Sequence, residues 1–184
     1  MPAKFPIKKA TQVVCRFLQQ NGSRMNHIKL MKELYLAERH AIVEWGHPLL
    51  GDNYFSFDAG PILSSVLDLI NSKGRSAENP YWNAYVSKRE VNQIKSLGHC
   101  PDDELSEREI KLIDSISAKF RQQDEWDVVR YCHRHLKEWK DPQGTPETIT
   151  IADILRSAGK NNKEIEDIED EIKSIDYAKA ILGC

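Results

Sequence analysis

Histidine and cysteine side chains suggest a metal site or catalysis most directly, and this sequence has six histidines and four cysteines. They are densest at Cys132-His133-Arg134-His135, with His99-Cys100 elsewhere. A zinc site needs four converging ligands, whereas His133 and His135 on one helix point about 200° apart. We therefore predict no metal site. We interpret His133 as a structural residue, in the core or at its edge, that pairs with the indole of Trp139.

Motifs of the common enzyme classes do not occur in the chain. It has no G-x-S-x-G elbow, phosphate-binding loop, dinucleotide-binding glycine run or H-E-x-x-H pair. We therefore predict a protein that is not an enzyme and has no cofactor. The enzyme alternative has the least support, because it needs a deep pocket that gathers groups such as His40, Asp58 and His133.

Two turns, Gly51-Asp52 and Asp58-Ala59-Gly60-Pro61, either shape the backbone or face a partner. Glycine relaxes φ and aspartate accepts hydrogen bonds from backbone amides, so the backbone role is the more usual one. Binding residues, however, concentrate on loops that a rigid scaffold holds. We therefore predict one polar cluster, either structural or partner-binding, that comprises His40, Asp58, Gly60, Pro61, His133 and Trp139.

The elements that must position these residues are mostly helices. Ser106 and Glu109 form a capping box, and Asn26, Asp124 and Thr150 are further N-cap residues. Apolar residues at helical spacing follow each of them, and the most apolar helix, residues 28–45, is predicted to be central. Helices are predicted over residues 7–21, 28–45, 61–71, 106–120, 124–140, 151–158 and along the C-terminal segment, with a break at Lys73-Gly74 after the third.

Three short segments, residues 53–57, 82–87 and 91–97, are predicted to be strands. The first is rich in β-prone residues and lies between two turns, while the other two alternate loosely enough to complete a sheet with it. The predicted fold is therefore α+β and predominantly α-helical. It is a helical bundle of six or seven helices around a central buried helix, with a small two- to three-stranded β-sheet.

The last part of the chain differs in character from the rest. Residues 160–184 hold seven acidic and four basic residues, and four isoleucines lie on heptad spacing: Ile165, Ile168, Ile172 and Ile175. This pattern predicts an acidic amphipathic helix after a domain of residues 1–159. Its isoleucine seam packs on the domain or on a second copy, or it fills a groove on a basic partner that the acidic residues attract.

Composition limits the remaining classes of partner. A net charge of −2 does not provide the basic field that nucleic-acid-binding domains usually have, although short basic patches occur at Lys88-Arg89 and within residues 130–134. No apolar run of about 18 residues occurs, and residues 1–6 lack the apolar stretch of a secretion signal. The scattered cysteines fit reduced thiols. We therefore expect a cytoplasmic protein that binds neither a membrane nor, as its main partner, nucleic acid.

The order of these elements resembles one family, the SocA-like antitoxin domain, also called Panacea. The matching residues are Lys29 to Ala37, His40, Gly46, Pro48, Gly51, Asp52, Gly60, Pro61, Ser64 and Val66. A weaker match continues at 105–110 and at His133 with Trp139, so the resemblance covers roughly residues 8–155. Trp45 and the acidic C-terminal segment lie outside the pattern, which suggests that they belong to this member's own specificity or packing.

The resemblance implies a bacterial protein that acts by binding another protein. Members of the family neutralise a toxin encoded by an adjacent gene, and one is an adaptor that delivers its toxin to an energy-dependent protease. The expected partner is therefore a cognate toxin, in a type II toxin-antitoxin system. The alternatives are a proteolytic adaptor that also binds a protease or its unfoldase, and a phage or prophage accessory protein with an anti-defence role. A homodimer is a further expectation.

Overall fold

The computed structural model describes residues 5–72 and 79–182. Within these ranges the chain is predominantly helical with small antiparallel sheets, which confirms the predicted α+β class. The helices are α1 (Ile7–Gln20), α2 (His27–His40), α3 (Ser64–Ile70), α4 (Pro80–Tyr85), α5 (Glu107–Phe120), α6 (Glu125–His135), α7 (Ile151–Ser157) and α8 (Asn162–Leu182). The strands are β1 (Arg24–Asn26), β2 (Tyr54–Phe57), β3 (Gly60–Leu63), β4 (Gln93–Lys95) and β5 (Glu147–Ile149).

Helix α2 is the centre of the core, as its apolar pattern predicts. It packs against α1, α5, α6 and β3, and Leu30, Leu34 and Tyr35 are at most 1% exposed. The Asn26 side chain accepts a hydrogen bond from the amide of Ile28 and so caps the helix. The predicted helix over residues 28–45 ends early as an α-helix, because residues 41–45 widen into a π-helical turn before Gly46 at φ +74°.

The main sheet has the strand order β3-β2-β5 and is antiparallel throughout. Tyr54 lies opposite Leu63 on one side and Ile149 on the other. The predicted strand at 53–57 is confirmed, but the helix predicted to begin at Pro61 is wrong at its start. Pro61 pairs with Ser56 inside β3, and α3 begins only at Ser64. The Asp52 carboxylate accepts hydrogen bonds from the first amides of that helix.

The strands predicted at 82–87 and 91–97 need correction. Pro80–Tyr85 is a helix, because the Asn79 side chain caps it and Pro80 occupies its first turn. Gln93–Lys95 is a strand, but it pairs with β1 in a separate two-stranded sheet and not with β2. The predicted break at Lys73-Gly74 lies outside the described residues. No helix in the described ranges is both long and apolar enough to span a membrane.

Candidate functional site

Five of the six residues of the predicted polar cluster meet at the turn between β2 and β3. The Trp139 indole donates a hydrogen bond to the carbonyl of Phe57 at 2.9 Å. The His133 ring stacks on Trp139, with ring centroids 3.9 Å apart and planes 11° apart. We call Asp58, Gly60, Pro61, His133 and Trp139 the hairpin cluster. The predicted pairing of His133 with Trp139 is therefore present, and it joins the end of α6 to the β2–β3 hairpin.

A buried lysine supports the hairpin cluster from the inside. Lys32, on α2, is 1% exposed, and its ammonium group donates a hydrogen bond to the carbonyl of Pro61 at 2.8 Å. Burial lowers the pKa of Lys32 to about 8. Burial also lowers the pKa of His133, and the charge of Lys32 adds to that effect. Lys32 was not among the predicted functional residues, although a lysine inside the most apolar helix is a usable signal.

Gly60 is required where the hairpin crosses this lysine. Its φ is +96°, and a Cβ atom there would lie 3.2 Å from Cε of Lys32. Glycine alone adopts such a backbone without strain, and the close approach leaves little room for a methyl group. The hairpin is therefore held against α2 by backbone geometry and by one buried hydrogen bond. Because Lys32 is enclosed and its ammonium group is bonded to the Pro61 carbonyl, we interpret it as a support for the hairpin.

Substitution of Gly60 is expected to destabilise the fold. Gly60→Ala should lower the free energy of unfolding by about 1–3 kcal/mol, because it adds backbone strain and contact with Lys32. Gly144→Ala is the matched control, since Gly144 has φ +89° but a Cβ atom added there would have no neighbour within 4 Å among the described residues. Urea denaturation of both variants measures the difference. Equal losses would show that crowding against Lys32 contributes nothing.

His40 lies apart from the hairpin cluster. Its ring contacts Trp45 edge-on, with centroids 5.8 Å apart, and the Arg108 guanidinium lies 4.2 Å from the centre of the Trp45 ring. His40 follows Lys32 by eight residues, which is about 12 Å along α2. Two surface pockets of about 320 and 340 Å³ are lined by residues of 137–157 and of 123–135, with Ser56 in the first. Neither pocket gathers His40, Asp58 and His133.

Three buried carboxylates hold the surroundings of the site, and of these only Asp52 was singled out from the sequence. Glu38 accepts hydrogen bonds from the amides of Leu50 and Gly51 and from the Tyr54 hydroxyl. Asp52 caps α3, as described above. Glu138 accepts from Tyr35, Arg39 and Ser157. The aspartate of the Gly51-Asp52 pair was a visible signal, whereas nothing in the sequence distinguishes Glu38 or Glu138 from a solvent-exposed glutamate.

A fourth buried carboxylate, Glu33 on α2, is not satisfied in this way. Glu33 is 0% exposed, and among the described residues neither of its oxygens has a hydrogen-bond partner. The Lys29 ammonium lies 3.8 Å from Oε1, and the buried Ser117 hydroxyl also lacks a partner within that part of the chain. Burial raises the pKa of Glu33 to about 8, against the opposing effects of the Lys29 charge and of the neighbouring Ser117 hydroxyl. The carboxyl group is therefore largely protonated at neutral pH.

The isoleucine seam of α8 divides into a packed part and an exposed part. Ile165 and Ile172 are buried, and Ile168 packs partly against the core. Ile175 is 36% exposed, and every later residue of α8 is exposed as well. The first half of the helix packs against α7. The seam therefore packs on the domain only as far as Ile172.

The outward side of α8 carries a second pattern. Glu166, Asp170, Tyr177 and Ile181 are separated by four, seven and four residues, so they lie along one side of the helix, about 140° around its axis from Ile165 and Ile172. All four are exposed, Tyr177 by 71% and Ile181 by 66%. We call these four residues the outer stripe of α8. It is acidic in its first half and apolar in its second.

A family model described as antitoxin SocA-like, Panacea domain, matches residues 30–140, which is more than half of the chain. The chain belongs to the SocA-like antitoxin family. Comparison with curated proteins and with solved structures found no match. The matched residues contain most of α2, the hairpin cluster and α6. They exclude α7 and α8, so the outer stripe lies outside the part that the family shares.

Family membership gives this protein an antitoxin-like role, and an antitoxin acts on a toxin. The hairpin cluster lies within the shared part, where its hydrogen bonds and the Gly60 turn fix the shape of the scaffold. Its outer residues, the exposed His133 above all, stay predicted partner contacts. No group of three or more potential metal ligands is close enough to hold an ion in the described part of the chain.

Proposed function

We propose that this antitoxin neutralises its toxin by binding it directly, and that the outer stripe of α8 is the main contact. The single observation that carries this proposal is the exposure of Tyr177 and Ile181 on a helix outside the shared domain. Large apolar side chains that remain exposed together usually mark an interaction site. A shared scaffold with a member-specific helix lets each antitoxin select its own toxin.

The charge of α8 defines the chemistry of the partner. Residues 166–171 contain five carboxylates, and only Asp170 has a cationic partner among the described ion pairs, Lys173 at 3.1 Å. Such a segment attracts a basic surface over long range and speeds association. Tyr177 and Ile181 then supply the apolar anchors that dominate binding energy. The proposed toxin surface is therefore basic with an adjacent apolar groove, and the toxin is encoded by an adjacent gene.

The test is co-expression of the adjacent gene with wild-type antitoxin and with Tyr177→Ala/Ile181→Ala. We expect the wild type to restore growth and co-purify with the toxin. The double variant should bind at least 10-fold more weakly, because burying each such side chain is worth about 1.5–3 kcal/mol. Its fold should be unchanged, since both side chains are exposed.

The matched control removes two exposed apolar side chains elsewhere on the antitoxin. Val91 is 87% exposed and Leu97 is 56% exposed, so Val91→Ala/Leu97→Ala should leave toxin binding intact. Equal affinity of both double variants would reject the outer stripe as the contact. Rescue that depends on a cellular protease would support the adaptor alternative. A neighbour that is harmless alone would support the accessory alternative.

A further inference from the structure

Helix α6 presents a tryptophan and two arginines along one side. Trp126 is 50% exposed, and Arg130 and Arg134 follow it at intervals of four residues. We call these three residues the α6 stripe. Arg130 pairs with Asp127, whereas Arg134 has no carboxylate partner among the described ion pairs. Tryptophan and arginine are the residues most enriched at the energetic centres of protein interfaces.

A groove of about 340 Å³ runs beside the α6 stripe and adds aromatic and cationic groups. It is lined by Gln123, Asp127, Arg130, Tyr131, Arg134 and His135. The Tyr131 and His135 rings lie 4.4 Å apart, and the Lys119 ammonium lies 4.2 Å from the centre of the Tyr131 ring. The groove and its edge therefore hold three cations, Arg130, Arg134 and Lys119, against the one carboxylate of the lining, Asp127. This surface therefore suits an acidic segment with an aromatic or apolar anchor.

The chain contains a segment of that description, the outer stripe of α8. Glu166 and Asp170 are four residues apart, as are Arg130 and Arg134, so both pairs are spaced by about 6 Å along their helices. If α8 of a second copy lies antiparallel to α6, Glu166 faces Arg134 and Asp170 faces Arg130. Tyr177 then extends towards Trp126. Equal spacing of opposite charges makes this pairing more specific than a general attraction between basic and acidic surfaces.

We propose that the free antitoxin is a homodimer in which α8 of each copy packs antiparallel on α6 of the other. The two contacts are identical, so the assembly closes with twofold symmetry. Their areas add, which brings two helix contacts towards the roughly 800 Å² per partner that stable interfaces need. The dimer covers both exposed stripes. One consequence rests on the function proposed above: the toxin and the second copy compete for the outer stripe of α8.

The proposal is tested by charge exchange, with mass measured by sedimentation velocity. Arg130→Glu/Arg134→Glu places like charges at both contacts, and so does Glu166→Arg/Asp170→Arg. Each double variant alone should be a monomer, with at least a 10-fold larger dissociation constant than the wild type. An equimolar mixture of the two should recover the dimer, because every contact again joins opposite charges. Lys137→Glu/Lys140→Glu, a reversal of two exposed lysines elsewhere, should leave the dimer intact.

Several results would overturn the dimer. One is a wild type that is still monomeric at about 100 μM, a concentration at which a dimer with a micromolar dissociation constant is formed. The others are double variants that remain dimeric and a mixture of the two that fails to reassociate. Loss of single-stranded oligonucleotide binding by Arg130→Glu/Arg134→Glu, with mass unchanged, would assign the α6 stripe to nucleic acid instead. This variant retains the outer stripe, so it should still neutralise the toxin. Failure of the dimer is thereby distinguished from failure of the proposed function.

Discussion

Replacing Glu33 with glutamine is expected to stabilise the protein at pH 8 but not at pH 5. The Glu33 carboxyl group is fully buried and has no hydrogen-bond partner among the described residues, and burial raises its pKa to about 8. The unfolded chain releases this proton near pH 4.5, whereas the folded chain keeps it up to about pH 8. Folding therefore becomes less favourable as the pH rises between these values. Because glutamine does not titrate, Glu33→Gln removes that loss.

The expected effect is large. Each unit of pKa difference is worth about 1.4 kcal/mol, so the advantage of Glu33→Gln should grow by roughly 3–5 kcal/mol between pH 5 and pH 8. Urea denaturation at several pH values measures it as the difference between variant and wild type. Histidines that titrate in this range contribute equally to both proteins and cancel in that difference.

Glu109→Gln is the matched control for Glu33. Glu109 is also buried, but its carboxylate pairs with Lys9 and the Ser106 capping box, and these contacts lower its pKa despite the opposing effect of burial. The Glu109 carboxylate stabilises the fold fully at pH values above its pKa in the unfolded chain. This stabilisation is lost only as the pH falls from there through the lower pKa of the folded protein. The difference between Glu109→Gln and wild type should therefore stay flat from pH 5 to pH 8. A flat difference for Glu33→Gln as well would mean that Glu33 is ionised in the folded protein.

Replacing Glu138 with glutamine is expected to lower the free energy of unfolding by about 3–5 kcal/mol, since it breaks a buried ion pair. The carboxylate side chain is 0% exposed and accepts hydrogen bonds from Arg39 at 2.8 Å and Ser157 at 2.6 Å. Glutamine retains the shape but leaves the Arg39 charge without its partner. Chemical denaturation measures the loss as a lower midpoint. The slope of the unfolding free energy against denaturant concentration should stay unchanged.

Two further variants separate the charge from the hydrogen bonds around Glu138. Ser157→Ala removes a neutral donor to the carboxylate and should cost about 1.5–3 kcal/mol. Arg39→Met combined with Glu138→Gln should cost clearly less than the two single changes added, because neither charge is then left alone. A loss below about 1 kcal/mol for Glu138→Gln would show that Arg39, which is 22% exposed, turns to solvent instead.

Helix starts were predictable because their signals are local. Ser106 with Glu109 forms the predicted capping box, and the predicted N-cap residue Thr150 forms another with Asp153; each box joins residues only three positions apart. The pairing of His133 with Trp139 was predictable for a similar reason, since six residues separate them. Asn79-Pro80 was also a local helix signal. The strand predicted at 82–87 is wrong because the loose alternation of apolar and polar residues there is a weaker signal than this helix start.

Sequence alone determined the helical class of the protein, its central helix, its family and the amphipathic character of α8, because these follow from spacing along the chain. Only the tertiary structure decided that Pro61 belongs to a strand, since its partner Ser56 lies across a hairpin. It also decided the states of the buried charges. Lys32 meets a carbonyl 29 positions away and Glu138 meets Arg39 99 positions away, whereas Glu33 has the Lys29 ammonium 3.8 Å away but no hydrogen-bond partner in the described chain. A buried charged side chain raises or lowers the stability of the fold depending on such partners. The spacing of residues along the chain does not specify those partners.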